Sequence, residues 1–173
     1  MSEATERWHE SAKAFGTRFE AIADSQWDGA TPCDAWTVRQ LVDHAVGTQL
    51  FLGSKLGMPP TETAWSDVSH AMGALLGDKA ALVGSVEIPG VGEMTKAQVL
   101  DVCINDLLIH TWDLARAIGA DERLPVALVT SCLEWLQQLP LALMRSSGRY
   151  VAEIAVAGDA DVQTRMLAFA GRA

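Results

Sequence analysis

Asp106, His110 and Asp113 fall at steps of four and three, so on a helix they line nearly the same side. That side is otherwise apolar, with Val99, Cys103, Leu107, Leu114 and Ile118. Helical residues four apart hold their Cβ atoms about 5–6 Å apart. A carboxylate at 106 and an imidazole at 110 can therefore reach one ion through bonds of about 2.0–2.2 Å. His44 sits beside the apolar positions Leu41, Val42 and Ala45 and supplies a third ligand if the two helices pack face to face. Two histidines and one carboxylate leave coordination positions open, which suits catalytic zinc or a comparable divalent ion such as nickel. The rival reading needs no ion, because His44 and Asp106 can simply hydrogen-bond each other. Burying these polar groups is expensive unless they are paired or bind metal, and spacing does not choose between the two. A shared ion requires the three side-chain tips to converge, with none separated by more than about 8 Å.

Asp113 has two functional readings, as an acceptor that orients a ligand or as a catalytic group that engages substrate. A salt bridge to Arg116 or Arg39 is the structural alternative. His9 and His70 have polar neighbours and read as solvated. Cys33 precedes His44 by eleven residues, about three turns if helical throughout, which argues against a ligand to the same ion. It reads as a packed small thiol, and Cys103 and Cys132 as core. The chain has no GxSxG elbow, P-loop, GxGxxG or HExxH pattern.

The elements that must carry these residues are legible from periodicity and caps. Trp8, Ala12, Phe15, Phe19 and Ile22 make one helical stripe. Thr37 followed by Gln40 is a capping box that opens a second helix to about Lys55, stopped by Gly57. A third helix fits about Glu62 to Ala81. Ser85–Ile88 and Val91–Met94 flank Pro89-Gly90 and predict a hairpin. Thr95 and Gln98 form a second capping box, opening a long helix to about Ile118 with Gly119 as its stop. Pro125 starts a fifth helix, Pro140 kinks or interrupts it, Tyr150–Val156 alternates like a strand, and a short helix covers about Asp161–Ala170. The fold class is mainly α, a helical bundle with short β additions.

With 173 residues the chain is expected to be one domain spanning 1–173. Its net charge of −9 and scattered Lys and Arg argue against nucleic acid and anionic membranes as partners. No apolar run approaches a membrane span. The acidic N-terminus does not read as a secretory signal, and three widely spaced cysteines do not make a disulfide framework. A reducing cytoplasm is the expected compartment.

Thr31-Pro32-Cys33-Asp34-Ala35-Trp36-Thr37-Val38-Arg39, followed by Leu41-Val42-Asp43-His44, resembles the N-terminal signature of the mycothiol-dependent maleylpyruvate isomerases, within the DinB-like superfamily. Asp106-Leu107-Leu108-Ile109-His110-Thr111-Trp112-Asp113-Leu114-Ala115-Arg116-Ala117 resembles the second signature, and Arg165–Arg172 resembles the end of a single-domain branch described as metal-binding. The resemblance implies a four-helix bundle with a divalent metal at one end of its core. His44 and His110 match the two histidine ligands, and Asp106 stands where the isomerase has glutamate. Asp106 offers the shorter carboxylate at that position. The chain is expected to lack the isomerase's additional C-terminal domain. The implied chemistry joins a low-molecular-weight thiol such as mycothiol to an electrophile, or isomerises a substrate through a thiol adduct, using a thiolate held by the metal. The alternatives are a metal- or ligand-binding module without turnover and a structural homodimer with vestigial metal residues. Removing His110 is expected to cost the metal and leave the fold in place.

Overall fold

The computed structural model describes residues 2–33, 36–140, 145 and 152–172. Among them are six α-helices and one two-stranded antiparallel sheet. The chain divides into two compact units, residues 1–122 and 123–173. No helix among the described residues is long and apolar enough to cross a membrane.

The first unit holds α1 (Glu3–Glu20), α2 (Val38–Leu56), α3 (Trp65–Leu76), the hairpin β1 (Ser85–Ile88) and β2 (Gly92–Thr95), and α4 (Lys96–Ile118). Helix α4 packs against α1 and α2, and α3 packs against the same two helices. The core between them is built on Trp8, Phe15, Leu41, Leu56, Met72, Leu100, Leu107 and Leu114, all essentially unexposed. Both predicted capping boxes form. Thr37 and Thr95 each accept from the backbone N–H three residues on, and Gln40 and Gln98 accept from the cap residue's own N–H. Gly57 and Gly119, at φ 109° and 69°, end α2 and α4 in the left-handed region that favours glycine. The hairpin pairs Ser85 with Thr95 and Ile88 with Gly92, so its second strand starts one residue later than expected.

Three buried hydrogen bonds set how α1, α2 and α4 lie against one another. Gln49 on α2, fully buried, accepts from Trp8 Nε1 at 3.0 Å and donates to the Cys103 carbonyl at 2.9 Å. The Ser11 hydroxyl donates to the Ile104 carbonyl at 3.2 Å. A sliding helix would leave these buried groups unpaired, at about 1–3 kcal/mol each. The ties lie next to the positions where α2 and α4 carry His44 and Asp106.

The second unit contains α5 (Val126–Gln138) and α6 (Val162–Phe169), which pack on each other. The Leu124 N–H donates to Gln163 Oε1 at 2.8 Å, and the Ile154 N–H to the Ala168 carbonyl at 3.0 Å.

Two expectations shift, and the one for Pro140 holds. Helix α3 is shorter than 62–81, because Ala64 offers no side-chain cap and Gly77 closes the last turn. Helix α5 is interrupted at Pro140, as expected, ending at Gln138 with Leu139 extended at ψ 146°, as a residue before proline prefers. Residues 152–156 form no strand, while Tyr150 and Val151 lie outside the described residues. The alternation at Ala152, Ile154 and Val156 lacks a partner ladder there, and period two alone does not make a strand.

Candidate metal centre

The long helix α4 carries Asp106, His110 and Asp113 on one side, and α2 brings His44 opposite them. Asp106 Oδ1 lies 3.5 Å from His44 Nε2 and 3.7 Å from His110 Nε2. All three donor atoms fall within 4.8 Å of one another, well inside the limit for a shared ion. These separations are longer than a charge-assisted hydrogen bond of about 2.7–2.9 Å. Bonds of about 2.0–2.2 Å at tetrahedral angles hold donor atoms roughly 3.3–3.6 Å apart, close to what is observed. Asp106 Oδ2 is buried with no hydrogen-bond partner, and such a group normally has one. Two borderline nitrogens, a carboxylate and this orphaned oxygen fit a divalent cation.

Asp113 is fully buried, and its Oδ2 lies 3.0 Å from His110 Nδ1. A carboxylate accepts only, so Nδ1 carries the proton and Nε2 keeps its lone pair toward Asp106 when the ring is neutral. The alternative partners are engaged elsewhere: Arg116 reaches Glu122 at 3.8 Å and Arg39 reaches Asp28 at 3.8 Å. Exposure falls from 39% at the His44 side chain through 22% at Asp106 to 9% at His110, so the cluster opens toward His44.

Trp36 walls the cluster, its ring 4.7 Å from that of His44 and 6.0 Å from that of His110. Cys33 comes from the same loop, and this contact has no signal in local spacing. Its thiol donates to Asp113 Oδ2 at 3.2 Å and lies 4.0 Å from His110 Nδ1. Thr31 holds the loop: its hydroxyl oxygen accepts from the Cys33 N–H at 3.1 Å and lies 3.1 Å from the Trp36 carbonyl. Cys33 thus belongs to the shell around His110, which its distance from His44 along the chain concealed. His9 and His70 are exposed. Cys103 is a buried core thiol, its pKa pushed up by burial and by the Asp106 charge, and burial lifts Cys132 to about 12.

Burial pushes the His110 pKa down, but the Asp106 charge and the Asp113 hydrogen bond, with a further one from Cys33, outweigh it and lift it to about 10. Without an ion, the site holds a proton between two carboxylates. The folded value exceeds the model value of 6.5, so this contribution to stability is fully present below pH 6.5 and is lost as pH rises through about 10. Denaturant unfolding of the metal-free protein should show that decline, and a His110→Asn variant should show less of it. Equal slopes would assign the decline to other groups.

Residues 8–87 match the family described as the mycothiol maleylpyruvate isomerase N-terminal domain. The family is part of the DinB-like superfamily, and the matched residues include Cys33, Trp36 and His44 but end before α4. The chain is also 27% identical, over 84% of each chain, to two uncharacterized proteins of Mycobacterium tuberculosis, one from strain CDC 1551 and one from strain H37Rv. No solved structure matches the chain.

Proposed function

We propose that the chain binds a divalent ion, zinc or nickel, through His44, Asp106 and His110, and acts on a low-molecular-weight thiol of the mycothiol class as a transferase or isomerase. The observation that carries this reading is the Asp113–His110 pair, which aims Nε2 at the two other donors. When bound, the ion would supply a Lewis-acid position that favours a thiol's ionised form near neutral pH. The residues do the rest. His44 and Asp106 provide donors from two helices, and Asp113 acts through His110 as a positioning residue, not by touching substrate. Trp36 shields the imidazoles on one side, and the partly exposed His44 edge is where a small thiol and its electrophile would enter.

The test is metal analysis of protein purified without a histidine tag, followed by thiol consumption with a reactive electrophile. About one ion per chain and consumption of mycothiol above the uncatalysed rate are expected. Metal without consumption of any thiol in a panel would leave a binding module; no metal would overturn the reading.

A further inference from the structure

His110 presents its second ring nitrogen to a different donor set. Nδ1 lies 3.0 Å from Asp113 Oδ2 and 4.0 Å from Cys33 Sγ, and Cys33 Sγ lies 3.2 Å from Asp113 Oδ2. These three donors also fall within 4.8 Å of one another, as a set separate from His44 and Asp106. We propose that Cys33, His110 and Asp113 form a second cation position, selective for thiophilic d10 ions such as Cd2+ or Cu+.

Bonds of about 2.3 Å to sulfur and 2.0–2.2 Å to nitrogen and oxygen would place the donors roughly 3.3–3.6 Å apart. The observed triangle needs each edge to change by only a few tenths of an ångström. The donors are well held. His110 and Asp113 are buried three residues apart on α4, and Thr31 anchors the Cys33 backbone. Cys33 is only partly buried, which gives an ion a path in. A thiolate favours soft ions, whereas the His44–Asp106–His110 set has no sulfur. Entry of an ion displaces the Cys33 thiol proton to solvent and shifts the neutral ring's proton from Nδ1 to Nε2, so a divalent ion meets a thiolate and a carboxylate of equal total charge.

The two positions compete. A neutral imidazole has one lone pair, on Nε2 or on Nδ1. An ion at Nδ1 leaves the proton on Nε2 and withdraws His110 from His44 and Asp106. This assignment does not depend on the thiol-dependent reading above.

The test titrates the metal-free full chain with Cd2+ and follows the ultraviolet thiolate-to-metal charge-transfer band. The wild type should develop the band at one equivalent, Cys33→Ser should lose it, and His44→Ala should keep it. Circular dichroism checks that both variants fold. On the wild type alone, Cd2+ should protect Cys33 from iodoacetamide, read by peptide mass spectrometry. No band in the wild type, a band surviving Cys33→Ser, a band lost in folded His44→Ala, or an unprotected Cys33 would each overturn the proposal.

Discussion

Replacing His110 by alanine is expected to reduce bound metal from about one ion per chain to background, and thiol consumption to the uncatalysed rate. The substitution removes the Nε2 donor that faces Asp106, leaving His44 and Asp106, one of which is 39% exposed. Two protein donors do not make the three-ligand set of a catalytic site. A free thiol with a pKa near 8.5 is mostly protonated at pH 7, so the nucleophile is lost with the ion. The fold should survive at a cost. Asp113 loses the His110 Nδ1–H, and a hydrogen bond to a charged group is worth about 1.5–3 kcal/mol. Metal content, thermal unfolding and thiol consumption should be measured on both proteins together. A variant that retains wild-type metal would show that His110 is not a ligand.

Asp113→Asn should weaken metal binding by about 10–100-fold, the usual effect of losing the carboxylate that orients a ligating histidine. Asparagine keeps the volume and an acceptor oxygen but loses the charge that holds the proton on Nδ1. Its amide also brings donors into a pocket with no exposure. Chelator competition should report the loss while circular dichroism stays unchanged. Wild-type affinity would place Asp113 outside the orientation of His110, and a total loss of helix would show that its role is structural.

Helices α2 and α4 were legible almost to the residue. Their capping boxes and glycine stops use hydrogen bonds three or four residues long, which any chain with Thr37, Gln40 and Gly57, or Thr95, Gln98 and Gly119, can form locally. The facing of Asp106, His110 and Asp113 followed from the helical repeat in the same way. The α3 limits and the stretch around Ile154 were less legible, because their periodicity was not matched by caps or by a partner strand.

The sequence by itself determined which side chains share a helix face, because 3.6-residue periodicity is a property of the chain next to itself. It did not determine which faces meet. That depended on contacts between distant residues, such as Gln49 with Trp8 and with Cys103, 41 and 54 residues away. Tertiary structure alone brought Cys33 to Asp113, 80 residues on. It also buried the His110–Asp113 pair, so that truncating His110 takes one partner from a buried carboxylate as well as removing a ligand. Local hydrogen bonds can be formed without loop closure; contacts across the core are chosen only when all the buried groups are satisfied together.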